Sequence, residues 1–165
     1  SEQYYVVLSG MQTGSPAECQ AKSGLEKHGL AHRAILLGYR SFRDLLQYTA
    51  ACDIGVLLYA NDGIGNFCQS PGRLTEYLRC GLPVVMSNFP NFDYLAVKYQ
   101  IGVTCDPYAP QSIAKALECL ASRSPEQVEK DRTRLRQLAM EEFCYEKEFL
   151  KLKEVVGAAI GEGSK

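Results

Sequence analysis

Five short apolar runs punctuate this chain, and each is continuous rather than alternating: YYVVL from Tyr4, AILLG from Ala34, IGVLLY from Ile54, LPVVMS from Leu82 and IGVTC from Ile101. A strand with one wet face alternates apolar and polar residues, whereas a strand that is apolar throughout has both faces covered. Parallel strands sandwiched between two layers of crossover helices meet that condition. The runs therefore predict an α/β chain, a Rossmann-like doubly wound parallel sheet of about five strands with helices on both faces. At 165 residues, 46% of them hydrophobic, the chain is long enough for one ordinary core and too short for two comfortable ones. One domain over residues 1–160 is expected, with the closing GEGSK, 161–165, as a disordered tail.

The stretches between the runs carry helix signals. Pro16 to His28 is closed by Gly29, and Ser41-Phe42-Arg43-Asp44 has the form of a capping box ahead of Leu45, Tyr48, Thr49 and Cys52 at helical spacing. A helix is expected to start near Pro71 and stop at Gly81, another runs from Pro110 to Ala121, and a charge-dense helical stretch starts at Pro125. Residues Ala60 to Gln69 read as a polar connecting loop, and Asn88-Phe89-Pro90-Asn91 as a local turn. The alternating charges from Glu126 to Arg136 read as a solvated helix face.

Several function classes fall away on composition. A net charge of −1 provides no basic field to gather nucleic acid. The seven cysteines are odd in number and scattered without a CxxC pair, which favours reduced thiols over a disulfide framework or a zinc site. With His28 and His32 the only imidazoles, and no ligand cluster around them, no bound metal and no resident cofactor are expected. No apolar run approaches the roughly 18 residues of a membrane span, and the first ten residues lack signal-peptide order, so a cytoplasmic location is expected. No GxGxxG joins a strand to a helix, against a dinucleotide-dependent oxidoreductase, and no acidic cluster follows the first strand, against a phosphorylatable receiver module.

Ligands of a doubly wound sheet sit beyond the carboxyl ends of its strands, so the loops after Leu37, Tyr59 and Met86 are where chemistry belongs. The segment SPGRLTEYLRCGLPVV is the loaded one. Ser70 is suited to cap a helix, Pro71 to its first position, and Gly72 to close approach by another molecule, with unpaired amides behind them forming an anion site. Arg73 adds charge in the first turn. Glu76 follows Gly72 by four residues and shares its face, while Leu74 and Leu78 turn to the core. The spacing fits a nucleoside diphosphate with its ribose on Glu76, and equally a capped helix whose Glu76 is merely solvated.

The run SPGRLTEYLRCGLPVVMSN resembles the donor-binding signature of GT-B glycosyltransferases of the group 1, retaining kind: a Pro-x-Lys/Arg-Leu-x-Glu-Tyr helix followed by Gly-x-Pro-Val-Val. LLGYRSFRDLLQYTAACDIGVLLY is similar to the strand, base-binding turn, helix and next strand of that family, and FCYEKEFLKLKEVV to its closing helix. The resemblance implies that Glu76 grips the donor ribose. It implies that Ser70, Pro71, Gly72, Arg73, Leu74 and Thr75 hold the diphosphate and sugar, largely by main chain, and that Tyr39 and Arg40 wall the base. The family's first glutamate, eight residues before Glu76, is replaced here by Cys68. No catalytic residue is assigned.

On that resemblance the chain is expected to be one half of a GT-B architecture, without the N-terminal acceptor-binding domain and inactive alone. The whole enzyme is expected to transfer a hexose from a nucleotide-diphosphate sugar to a polysaccharide or glycolipid acceptor with retention, without a metal, at the inner face of the membrane by peripheral association. A nucleotide-sugar 2-epimerase half and a noncatalytic α/β binding module are the alternatives. The apolar residues Phe143, Tyr145, Phe149, Leu150, Leu152, Val155 and Val156 exceed what one short helix needs, and are expected to form a docking face for the N-terminal half.

Overall fold

The computed structural model of the chain describes residues 4–68 and 71–162. The chain parts into two compact units, Ser1–Tyr48 and Thr49–Lys165. In the first, β1 (Val6–Ser9) pairs in parallel with β2 (Ala34–Gly38) through the helix α1 (Pro16–Lys27). α1 has its start fixed twice over: the Ser15 hydroxyl accepts the Glu18 amide at 3.3 Å, and the Glu18 carboxylate accepts the Gly14 amide at 2.6 Å. Gly10 and Gly38 both have positive φ, 90° and 63°, and the Gly10 amide donates to the Gly38 carbonyl at 2.9 Å, which ties the carboxyl ends of the two strands. α2 (Phe42–Ala50) starts where the capping box places it, with the Ser41 hydroxyl accepting the Asp44 amide at 3.1 Å.

The second unit holds a three-stranded parallel sheet, β3 (Gly55–Leu57), β4 (Val84–Ser87) and β5 (Gly102–Cys105), in that order. Its helices are α3 (Ile64–Phe67), α4 (Gly72–Arg79), α5 (Pro90–Tyr99), α6 (Pro110–Ala121), α7 (Pro125–Glu142) and α8 (Tyr145–Glu162). β4 is buried at every residue, and its side chains sort by parity. Val84 and Met86 join Leu57, Leu74, Leu78, Phe92, Leu95 and Leu135 in one core, while Val85 joins Cys105, Ala116 and Leu120 in another. Helices thus cover both faces of β4, and the continuity of its apolar run follows from that covering, while Val56 of β3 and, in the first unit, Val6 of β1 and Ile35 of β2 stay exposed.

Two expectations change. The connection from Ala60 to Gln69 contains the helix α3, because the Phe67 ring seats against Phe89 at 5.2 Å and the Asn66 and Phe67 amides both close on the Gly63 carbonyl, at 3.1 and 3.2 Å. The supposed local turn at Asn88-Phe89-Pro90-Asn91 opens α5: Phe89 is the extended residue before the helix, Pro90 takes its first position, and Phe92 and Leu95 are buried by it. At the other end, α8 is described through Glu162, and residues 163–165, the rest of the segment expected to be a disordered tail, lie outside the described residues.

The charged face of α7 also does more than meet solvent. Arg132 donates to the Cys52 carbonyl at 2.9 Å and to Asp53 at 3.0 Å, Arg134 to the Tyr99 and Gln100 carbonyls at 2.9 and 2.6 Å, and Arg136 to the Cys80 carbonyl at 3.4 Å. Cys80 and Gln100 are the residues that close α4 and α5. Two of these guanidinium groups, those of Arg134 and Arg136, therefore secure helix ends, where carbonyls lack intrahelical partners and the dipole favours positive charge, while Arg132 holds the turn that leads into β3. Asp131, buried on the same helix, accepts Arg123 at 2.7 Å.

Candidate functional site

α4 is oriented by what it buries. Leu74 and Leu78, 1% and 0% exposed, enter the core four residues apart. Tyr77 lies flat on β3 over Gly55, where an added Cβ would stand 2.5 Å from the ring, and its hydroxyl reaches toward the Val56 carbonyl at 3.5 Å. Burial pushes the Tyr77 phenol above its ordinary pKa, with Arg73 pulling the other way, so it stays a neutral packing group. With those three side chains committed, Arg73 and Glu76 face outward as i,i+3 neighbours, Nη1 to Oε2 3.6 Å. Their side chains are 46% and 26% exposed.

The start of the helix differs from expectation by one residue. Pro71 is the capping residue, φ −72° and ψ 137°, rather than the first helical one, and Gly72 is first. The extended ψ of Pro71 turns its carbonyl to accept the Leu74 amide at 2.9 Å, and no side chain caps the helix. The cap expected from Ser70 falls outside the described residues. Gly72 is exposed, and a Cβ added to it would meet nothing within 4 Å, so the backbone there is open to approach. The amides of Gly72 and Arg73, in the first turn, have no carbonyl one turn back within the helix. Leu74 is present at this site only through its main chain, and Thr75 is half-buried.

The structure brings Pro71, Gly72, Arg73 and Glu76 together at the amino end of α4, which a crossover helix places beyond the carboxyl ends of the strands. Tyr39 and Arg40 belong to the first unit, immediately after β2. Tyr39 is 68% exposed, and Arg40 folds back to donate to the Tyr39 carbonyl at 3.1 Å.

Sequence reasoning does not find the residues that shape the connection from β3 to α4. Ser87, fully buried at the end of β4, accepts the Tyr59 amide at 2.8 Å and donates to the Tyr59 carbonyl at 3.1 Å, standing in for a strand partner. Past the end of β5, the Tyr108 hydroxyl accepts the Asn61 amide at 2.5 Å. The Asn66 side-chain amide donates to the Ala60 carbonyl at 3.2 Å and to the Asp62 carboxylate. The Asp-Pro pair before Tyr108 is a turn signal, but nothing local points to Asn61. Cys68 is exposed in this connection, and burial raises the Cys52, Cys80 and Cys105 thiols above their ordinary pKa, keeping them protonated. Among the described residues no three His, Cys, Asp or Glu side chains cluster as a metal site, and no helix is long and apolar enough to cross a membrane.

A family model described as glycosyl transferases group 1 matches residues 1–140. No curated protein matches the sequence. Among solved structures, the chain is similar to Alr3699/HepE of Anabaena in complex with UDP, with TM-score 0.74 and 18% identity over 96% of this chain and 42% of that one. It is also similar to sucrose-phosphate synthase from Thermosynechococcus elongatus, TM-score 0.73 and 18% identity over 94% of this chain and 38% of that one. A third is WaaG, a glycosyltransferase involved in lipopolysaccharide biosynthesis, TM-score 0.64 and 18% identity over 86% of this chain and 35% of that one. The chain thus spans about two fifths of the length of these structures. The likeness shows the fold, a Rossmann-like α/β arrangement of the kind found in GT-B glycosyltransferases.

Proposed function

We propose, given that the chain belongs to glycosyl transferases group 1, that it is the donor-binding half of a hexosyltransferase. It holds a nucleotide-diphosphate sugar, and the hexose passes with retention to a polysaccharide or glycolipid acceptor presented by an N-terminal domain. The observation that carries this reading is α4: its buried side fixes the helix, and its open amino end offers backbone amides, Arg73 and Glu76 to one ligand. Glu76 accepts the ribose hydroxyls, the turn Ser70, Pro71, Gly72, Arg73, Leu74 and Thr75 holds the diphosphate and sugar, and Tyr39 and Arg40 border the base. As the glycosidic bond breaks, negative charge grows on the diphosphate, where Arg73 and the positive helix end stabilise it without a metal or resident cofactor. The full enzyme works in the cytoplasm, peripherally at the inner membrane face.

HepE in complex with UDP and glucose, 20% identical over 93% of this chain, makes uridine diphosphate glucose the first donor to try. Calorimetry of this chain with uridine, guanosine and adenosine diphosphates and their hexose conjugates is expected to show binding by one base, with the monophosphate weaker than the diphosphate. A folded chain that binds none of the panel overturns the reading.

The N-terminal domain has a place to dock. Tyr145, Phe149, Leu152 and Val156 recur at four- and three-residue intervals along α8 and are all exposed, as are Leu150 and Val155. Phe143 is not part of this face; its ring meets Tyr99 edge-on at 5.3 Å within the chain's own core. Hydrogen exchange is expected to find the amides of 145–156 weakly protected in this chain and slowed when the N-terminal domain is supplied. Identical protection with and without that domain would show that α8 docks nowhere on it.

A further inference from the structure

The connection between β3 and α4 is a built element. It is pinned at its base by the buried Ser87 hydroxyl on Tyr59, at its far side by the Phe67 ring on Phe89, and at its outer edge by the Tyr108 hydroxyl on the Asn61 amide. The first two anchors are core features. The third is not: Tyr108 is 65% exposed and comes from the far side of the sheet, 47 residues along the chain. Its own place is set by the turn after β5, where the Asp106 carboxylate accepts the Tyr108 amide at 2.9 Å and the Asp106 amide donates to the Ser112 hydroxyl at 3.1 Å. A rigid turn thus presents one phenol oxygen to one main-chain amide.

What that amide controls is polar. Asn61, Asp62, Gly63 and Gly65 are exposed, and Asn66 folds back on Ala60 and Asp62, so the orientation of Asn61 sets where this group of amides and carboxylate stands. These residues lie at the carboxyl end of β3, and the chain runs on from them through α3 to α4. A diphosphate held at the amino end of α4 carries its hydroxyl-rich substituent on the side away from the nucleoside, and the connection supplies donors and acceptors of the kind such a substituent needs. We propose that Tyr108 is a positioning residue for recognition of the sugar, acting through Asn61 on the Asp62 and Asn66 groups and leaving the nucleoside diphosphate contacts untouched. This rests on the donor-binding reading above.

The test is Tyr108→Phe, which keeps the ring and removes the acceptor. Calorimetry compares UDP, GDP and ADP with the same nucleotides carrying glucose or mannose. For the base that binds, the expected result is a loss of about fivefold in the preference for the sugar-bearing over the bare diphosphate, the scale of one neutral hydrogen bond, with bare diphosphate affinity unchanged. Asp106→Ala is expected to shift the ratio the same way, and Asp106→Asn, which keeps a carbonyl acceptor for the turn, to preserve it. A purely structural role lowers the melting temperature and moves both ligands together. That result, or an unchanged ratio in Tyr108→Phe, overturns the proposal, whereas a wild-type chain that binds no nucleotide in the panel overturns the donor-binding reading itself.

Discussion

Glu76→Ala is expected to weaken nucleoside diphosphate binding by about 1.5–3 kcal/mol, the range for hydrogen bonds to a charged group. The figure is bounded from above by what Glu76 already has. It pairs with Arg73 at 3.6 Å and remains partly exposed, so the free site is neither a bare charge nor a dry one. Removing the carboxylate leaves Leu74, Leu78 and Tyr77 in place, so the helix keeps its seat and the variant folds. The discriminating measurement is calorimetry with a ribose and a 2′-deoxyribose diphosphate. Wild-type protein is expected to prefer the ribose form, and Glu76→Ala to lose most of that preference. Equal losses for the two ligands would remove the ribose 2′-hydroxyl from the partners of Glu76.

The largest effect on stability is expected at Gly102. A Cβ there would stand 1.9 Å from the Val84 carbonyl oxygen and 2.7 Å from the Val84 carbonyl carbon and amide nitrogen. Those are backbone atoms of the strand buried at every residue, so no side chain has room to swing aside. β5 has to separate from β4, straining a ladder that includes the Val84 amide on the Ile101 carbonyl at 3.0 Å and the Asn88 amide on the Cys105 carbonyl at 2.9 Å. Gly102→Ala is therefore expected to cost about 4 kcal/mol or more, above the usual range for an over-packed core, and to appear as insolubility or a strongly lowered urea midpoint. Gly24→Ala is the control: it sits inside α1 with nothing within 4 Å of the added methyl, and is expected to gain about 0.5–1 kcal/mol. A Gly102→Ala chain as stable as wild type would contradict the β4–β5 register.

The strands and the helix α4 are legible in the sequence because their signals are local. Runs such as LPVVMS are apolar on both parities, and Leu74 and Leu78 repeat at one helical turn. What escapes is set by distant partners. α5 hides behind an Asn-Phe-Pro-Asn cluster whose turn chemistry is real but also serves as a helix start once Phe92 and Leu95 have a core to enter. The arginines of α7 look like a solvated stripe because the groups they bind are main-chain carbonyls, which leave no residue-type signature. Tyr108 and Ser87 escape for the same reason, since each engages the backbone of the connection after β3. At the site itself, the outward pairing of Arg73 and Glu76 follows from helical spacing, while the shift of the cap from Ser70 to Pro71 depends on one ψ angle.

The arginine triad of α7 bears on how the chain comes off the ribosome. Arg132, Arg134 and Arg136 lie 80, 35 and 56 residues downstream of the first carbonyls they hold. All three strands and the helices α4 and α5 have therefore been synthesised well before their closing contacts exist. The nascent second unit waits with its helix ends unsecured and the place of Leu135 in the core unfilled, open to premature pairing with other chains. A chain stopped just before residue 132 holds every strand of that sheet and is expected to be soluble only while a chaperone holds it; stopped after 140, it has the contacts that let it close.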